Sequence, residues 1–446
     1  MLGGGLAGCE AAWQLAERGH DITIFEMRPV RSTPAHQTEH LAELVCTNSF
    51  KSEDLGNAHG LLKAEMRELG SVLLDVADRA RVPAGTALAV DRGAFAAEMT
   101  ARIASHPRIR VERREAERLP AGPAVVATGP LTSNALAADI GGVLGDDGLA
   151  FYDSIAPIVA HESIDADRVF FASRRDKGGQ DDYLNCPLSR DEYESFIAAL
   201  RAADVYPGHD WENIPYFEGC LPIEVMAERG ADTLRFGPMK PIGLRDPRTG
   251  YRPWAVVQLR REDRDGRMWN MVGFQTRLRT GEQRRVFRMI PGLENAEFLR
   301  MGSIHRNTYL DFPGRLAPYG APAGRPDLIF AGQLTGVEGY TESAASGILA
   351  GINLARILDG RAPTLPPPTT MIGGLFRYLR DARPHAFQPM NSNLGLLDAL
   401  PDAPRDKAAR REKLVECARA AFADWIAADA VGLAAGAGAG GGMSRP

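Results

Sequence analysis

The chain has 446 residues, roughly three times the usual domain size, of which 44% are apolar and 24% charged; two or three globular domains follow, and overall disorder is excluded. Its 52 basic and 57 acidic residues leave a net charge of −5, so there is no global pull toward nucleic acid or membrane; no uncharged stretch is long enough for a bilayer, and no basic-then-apolar leader opens it. Five scattered cysteines (Cys9, Cys46, Cys186, Cys220, Cys417) without a CxxC pair argue against a disulfide framework or a structural zinc site and suit a reducing cytoplasm.

In chain order, Gly3-Gly4-Gly5-Leu6-Ala7-Gly8 leads into an Ala-rich helix ending near Gly19, and His20 to Glu26 reads as a strand rich in β-branched and aromatic residues. Leu62, Met66, Leu69, Leu73 and Val76, spaced 4, 3, 4 and 3 apart, make one apolar stripe and predict a single helix. VVATG (125–129) reads as a buried strand ending in a turn at Gly129. From about 150 to 325 the pattern is mixed and broken by Pro and Gly. Leu328-Ile329-Phe330 is a short strand, followed by a Gly-rich turn (331–339) and a helix over about 342–358 with small residues at Ala344, Gly347 and Gly351. PTLPPP (363–368) is a stiff linker, a helical tail reaches about 430, and the Gly/Ala-rich 431–446 is expected to be disordered.

Gly3-x-Gly5-x-x-Gly8 has the spacing of a dinucleotide-binding turn: two glycines let backbone N–H groups approach a pyrophosphate, and the third lets helix pack on strand. Glu26, 18 residues beyond Gly8 at the end of a strand, sits where a ribose-hydroxyl acceptor belongs. The returning strand, turn and helix of 328–355, with Gly332 and Gln333 in its turn, give the layout of FAD enzymes with another domain inserted between. Its helix N-terminus suits a phosphate or a reduced flavin. Only Met1 and Leu2 precede Gly3, where a strand of about five residues is usual, so the central strand is expected to be missing from this chain.

Cys220 lies in EGCLPIEVMAERG just before a helix expected to start at Pro222 and stop at Gly230, a position that favours a thiolate nucleophile. Cys46, in LVCTNSF, is placed at a helix-to-loop transition. For each of the two, a buried structural cysteine is the alternative; Cys9 reads as packing, and Cys186 and Cys417 carry no signal. Between Arg245 and Arg288 stand twelve Arg and no Lys against five acids, a local balance of +7, interleaved with Tyr251, Trp254, Trp269, Phe274 and Phe287. That composition suits phosphates and unpaired bases. With 46 Arg against 6 Lys overall, an Arg-rich solvated face is the competing reading.

GGGLAGCEAA, LVCTNSF with GLLKAEMR, VPAGTALAVDR, FEGCLPIEVMAERG with DTLRFGPMKPIGL, NMVGFQT through VFRMIPGLENAEFLR, and HRNTY together resemble the folate- and FAD-dependent tRNA (uracil-5-)-methyltransferases, over residue 3 to roughly 420. GQLTGVEGYTESAASG resembles the part shared with related FAD tRNA-modifying proteins. The resemblance implies an α/β fold: a Rossmann-like, glutathione-reductase-like FAD-binding domain with an inserted mixed α/β domain and a helical C-terminal tail. The expected parts are 1–135 (FAD-binding, first strand truncated), 136–325 (inserted, substrate and RNA), 326–362 (FAD-binding, returning), 369–430 (helical tail) and 431–446 (disordered).

It also implies the chemistry: 5,10-methylenetetrahydrofolate supplies the carbon, reduced FAD the electrons, and NAD(P)H reduces the flavin. The product is 5-methyluridine at position 54 of the tRNA T-loop, with no metal and no membrane involved. By resemblance Cys220 adds to uracil C6. Cys46 serves proton transfer or a transient flavin or methylene adduct, and the two roles are exchangeable. Gly3, Gly4, Gly5, Leu6, Ala7, Gly8, Glu26, Gly129, Gly332 and Gln333 are the cofactor-binding candidates, with His305 and Tyr340 around flavin and folate. Competing readings are the same chemistry on a ribosomal RNA uridine, a small-molecule flavin oxidoreductase, and a non-catalytic RNA-binding flavoprotein.

Overall fold

The computed structural model describes residues 1–33, 35–145, 149–174, 182–206, 221–383, 387–398, 400 and 404–430. The glycine turn runs into α1 (Leu6–Glu17) and β1 (Ile22–Glu26), whose ITIFE sequence favours extended backbone. Next come β2 (Ser49–Ser52), α2 (Ala58–Glu68) and α3 (Val72–Arg79). The single helix expected over 62–76 is therefore two. Gly70 takes φ +73°, and Ser71 caps α3 by accepting from the Leu74 N–H at 3.1 Å, so the apolar stripe continues across a break in the backbone.

The chain continues through β3 (Arg81–Val82), β4 (Ala87–Val90), α4 (Arg92–Ala104), β5 (Ile109–Arg113), β6 (Ala124–Val126) and α5 (Asn134–Leu144). A more irregular run follows: β7 (Leu149–Ile155), β8 (Ile158–Ala160), β9 (Phe170–Phe171), β10 (Tyr183–Leu188), α6 (Arg190–Arg201), α7 (Ile223–Glu228) and α8 (Thr233–Phe236). Then come β11 (Ala255–Arg261), β12 (Met268–Met271), α9 (Thr280–Phe287), β13 (Phe298–Arg300) and β14 (Ser303–Tyr309). The return is β15 (Leu328–Phe330) and α10 (Tyr340–Leu358), and α11 (Met371–Asp381) and α12 (Lys407–Trp425) close the described chain. Residues 431–446, expected to be disordered, lie outside the described residues.

β5 pairs with β1 and β15 with β6, both parallel. Between β1 and β6 stands a single residue, Leu2, bridging in parallel to Phe25 and Val126. Its N–H donates to Val125 O at 2.9 Å, and the neighbouring Gly3 N–H to Phe25 O at 2.9 Å. The central position of the sheet, expected to be missing, is thus held by Met1 to Gly3. α1 and α10 pack on this sheet so closely that a Cβ on Gly347 would lie 2.2 Å from Ala7 O, and one on Gly351 2.6 Å from Ala11 O. The small residues of α10 are there because two backbones touch.

A second sheet is antiparallel throughout, in the order β13-β8-β12-β11-β10-β9, and has a core of its own around Trp269, Phe274 and Phe287. Of the aromatics interleaved with arginine, these three are buried, Trp254 is half-buried and Tyr251 alone is exposed. The alternation reflects strand pleating and core packing. Nine of the twelve arginines (245, 248, 252, 264, 267, 279, 284, 285, 288) are exposed. Arg260 is not: it is 7% exposed and turns inward.

Candidate active site

The turn before α1 shows a different duty for each glycine. Gly3 sits at φ +91°, open to Gly alone at little cost. A Cβ on Gly8 would fall 1.9 Å from Gly3 O, and one on Gly4 2.5 Å from Leu41, so both are packed against protein. A Cβ on Gly5 would meet nothing within 4 Å, and no side chain caps α1 there. The space in front of an uncapped helix N-terminus is what a pyrophosphate needs.

Glu26 ends β1 beside this opening. Its Oε2 accepts from the Gly4 N–H at 3.0 Å, and its Oε1 from the Arg28 N–H at 3.0 Å and Nε–H at 2.8 Å. Burial alone would raise the carboxyl, but the bonds from Arg28 and Gly4 outweigh it and hold it below the ordinary carboxylate value. Arg28, absent from the sequence-based candidates, also bonds Glu43 at 3.1 Å, so the acceptor is locked in place.

Two clefts meet at the turn. One, of about 580 Å³, is lined by Gly3, Gly5, Glu26, Arg28 and Thr132 among others. The other, of about 1160 Å³ out to its open mouth, is lined by Gly5, Leu6, Ala7, Gly129, Gly332, Gln333 and Tyr340, together with Cys46 and Lys51. They share Gly5, His36, Thr128 and Leu131, which makes one trough passing the helix N-terminus. A dinucleotide with its ribose at Glu26 and its diphosphate at Gly5 would place its second base in the wider cleft.

Cys46 stands in a loop running into β2, not at the end of a helix. Its N–H donates to the Tyr340 Oη at 2.7 Å, and the Thr47 N–H to the same oxygen at 3.1 Å. The ring of Tyr340 packs on Phe50 with centroids 6.0 Å apart. Burial, then the neighbouring Cys46, push the phenol well above its usual range. Arg92 donates to Leu44 O at 2.5 Å and to Glu262 at 2.9 Å. Burial works against its charge, but Glu262 prevails and the guanidinium is held above its ordinary value. Arg300 is depressed by burial and then by Arg92, while Tyr340 and Cys46 pull the other way. Two cations therefore face the thiol and phenol. Sequence spacing held no sign of Arg92 or Arg300, which come from remote segments.

Cys220 lies outside the described residues, and His305 occupies β14 opposite Asp153 with its side chain outside the description. α7, which follows Cys220, has six residues with Pro222 at its N-cap, so its field is that of under two turns. Cys9 is fully buried, which raises its thiol; Cys186 is likewise buried and raised. Among the described residues no group of three or more His, Cys, Asp or Glu could hold a metal ion, and no helix is long and apolar enough to cross a membrane.

Residues 1–362 match the family described as Glucose inhibited division protein A. The chain is 56% identical over 428 residues to the methylenetetrahydrofolate–tRNA-(uracil-5-)-methyltransferase TrmFO of Geobacter sulfurreducens, covering 96% of this chain and 98% of that protein. With the protein of the same name from Rhodospirillum rubrum it shares 56% over 437 residues, 95% of this chain and 91% of the other. Among solved structures, GidA of Aquifex aeolicus in its form I crystal superposes with a TM-score of 0.67 at 18% identity, over 94% of this chain and 75% of that one. The likeness at that identity is one of fold.

Proposed function

The chain belongs to the Glucose inhibited division protein A family and, within it, to the methylenetetrahydrofolate–tRNA-(uracil-5-)-methyltransferases, and from that premise we propose how its own residues carry folate-dependent methylation of a tRNA uridine with FAD as cofactor. The observation that supports the assignment best is one trough lined both by the dinucleotide turn and by Cys46.

FAD, when bound, supplies the two electrons that take a methylene carbon to a methyl, and NAD(P)H restores them. Gly5 leaves the backbone open to its diphosphate, and Glu26 would receive a ribose hydroxyl. Gly129, Gly332 and Gln333 border the wider cleft.

Uracil C5 is a weak nucleophile. A thiolate that adds to C6 forms an S–C6 bond and pushes the π pair onto C5 and the C4 carbonyl, which makes C5 able to attack the one-carbon unit. We assign that addition to Cys220. After C5 has bonded to carbon, its proton must leave before the C6–S bond breaks, and Cys46 is the thiol we assign to taking it. Arg92 and Arg300 both interact electrostatically with Cys46. The target we propose is the T-loop uridine at position 54, which must leave its stack at a cost of a few kcal/mol. Exposed arginines beyond Arg245 offset that cost on the phosphates. We place this work in the cytoplasm, in keeping with relatives that modify tRNA.

The test is incubation with methylenetetrahydrofolate, NADPH and unmodified tRNA, followed by nucleoside mapping. Expected is 5-methyluridine at one T-loop position, absent with Cys220→Ala although bound FAD is kept. Turnover by Cys220→Ala would remove that residue from the chemistry, and product confined to ribosomal RNA would redirect the substrate.

A further inference from the structure

Lys51 is one of two described residues other than glycine with a left-handed backbone, at φ +62°. A Cβ-bearing residue adopts that conformation at a steric cost that glycine would avoid. The strain sits in a bulge: the pairing of β2 with β4 shifts register between Ser49 and Ser52, and the Lys51 N–H turns to Ser49 Oγ at 3.0 Å. A bulge re-aims the side chain it carries. Here that side chain lines the wider cleft, in the company of Cys46, Gln333 and Tyr340. Its Nζ donates to Asn391 Oδ1 at 3.1 Å, the one hydrogen bond it makes among the described residues. An ammonium has three donors, so two remain for whatever occupies the cleft.

The surroundings hold the cation in place. A Cβ on Gly339 would lie 2.3 Å from Glu342 Oε2 and 3.1 Å from Asn391 Oδ1, so carboxylate and amide meet beneath that glycine. Glu342 is fully buried, accepts from the Ser392 N–H at 3.0 Å and lies 3.2 Å from His59 Nδ1. Its Oε1 thus faces backbone and imidazole, while Oε2, buried without a hydrogen-bond partner among the described residues, lies under Gly339 beside Asn391, and both of those residues line the cleft.

We propose that Lys51 is the cation that receives the negative charge a flavin ring acquires on reduction, and that the bulge in β2 exists to aim it there. The proposal rests on FAD occupying the trough. With ribose at Glu26 and diphosphate at Gly5, the ring system alone reaches the Lys51 end. Charge beside the ring tunes its electronics and so its potential.

The test uses purified holoprotein with Lys51→Met and the charge-retaining Lys51→Arg. Two readouts are independent of turnover: the midpoint potential of bound FAD, and its affinity for inorganic sulfite, whose adduct carries the same ring anion. Lys51→Met is expected to weaken sulfite binding at least about tenfold and to lower the potential by about 30 mV, the same tenfold for a two-electron couple; Lys51→Arg should recover most of both. If Lys51→Met does not retain FAD, Asn391→Leu removes only the anchor and should shift both readouts the same way by less. Unchanged potential and sulfite affinity in a flavin-loaded variant would overturn the proposal. A raised KM for methylenetetrahydrofolate with unchanged potential would overturn it too and hand Lys51 to the folate carboxylates. Wild-type protein without flavin absorbance would instead overturn the occupancy on which the proposal rests.

Discussion

The Arg260 guanidinium reaches from β11 of the second sheet to Asn48, donating to Oδ1 at 3.0 Å, and with its other arm to Thr47 Oγ1 at 2.7 Å. Asn48 in turn donates to Val90 O at 2.9 Å and Arg261 O at 2.8 Å. The loop that carries Cys46 is therefore tied at once to β4 and to β11 of the second sheet.

Arg260→Ala should loosen that loop. Two charge-assisted bonds lost from a buried fork cost roughly 2–4 kcal/mol. Expected are a fall in methyl transfer of at least about tenfold, about 1.4 kcal/mol on the barrier, with FAD content unchanged. Arg260→Lys keeps the charge without the fork and should recover only part. Full activity in Arg260→Ala, measured as 5-methyluridine formed per minute, would show that the strut is dispensable.

The glycine turn makes a sharper contrast. An Ala at position 5 meets no protein atom within 4 Å and needs only φ −76°, so the fold should tolerate it; its methyl would stand where the diphosphate is expected. An Ala at position 8 collides with Gly3 O at 1.9 Å. Gly5→Ala should melt within about 0.5 kcal/mol of wild type yet bind FAD at least about tenfold more weakly, about 1.4 kcal/mol. Gly8→Ala should lose more than about 4 kcal/mol of stability. Thermal melts and flavin titration decide, and equal flavin affinity in Gly5→Ala would move the diphosphate elsewhere.

What could be read in advance followed from local rules. The turn, β1, β15 and α10 are set by glycine spacing and by apolar runs a few residues long, which is why Gly3 to Gly8, Glu26 and Gly332 stand out in the sequence, whereas Tyr340 is a candidate by resemblance alone. What escaped depends on residues far apart in the chain. Arg28, Lys51, Arg92 and Arg260 are ordinary cations in sequence and gain meaning only once β2, α4 and β11 converge on one loop. Periodicity misled twice for the same reason. The stripe from Leu62 to Val76 continues through a Gly-Ser break because both helices pack on one core. Arginine alternating with Trp269 records a pleated strand, not a row of stacking platforms.

Buried charge sets a pH dependence. Glu65 on α2 accepts from the Met371 and Ile372 N–H groups at 2.7 and 2.8 Å, capping α11, and burial pushes its carboxyl up to about 8 against those two bonds. Its folded value thus lies above the unfolded 4.5. The contribution to stability is whole below 4.5 and is lost as pH rises toward 8, by about 1.4 kcal/mol per unit. Glu65→Gln carries no such slope. The variant should match wild type within about 1 kcal/mol near the acid end of that window and exceed it at the alkaline end. Urea titrations across the window that run parallel for the two proteins would show Glu65 ionised throughout.

For RNA, exposure selects which arginines matter. Arg245 and Arg252 are exposed on the segment between α8 and β11, beside Tyr251 at 78% exposure and not far in the chain from Phe236 at 73%. Arg252 makes no described ion pair, whereas Arg248, Arg267 and Arg285 are tied to Asp246, Asp265 and Glu282. Phosphate contacts release counterions, so each one lost lowers the slope of log K against log salt by about 0.7 to 0.9. Arg245→Glu with Arg252→Glu should therefore weaken tRNA binding strongly at low salt and little at high salt, with FAD content untouched. Filter binding over a salt series tests this. A loss of equal size at every salt concentration would point to a disturbed fold, and no loss at all would leave the exposed arginines as a solvated face with tRNA docking on another side of the molecule.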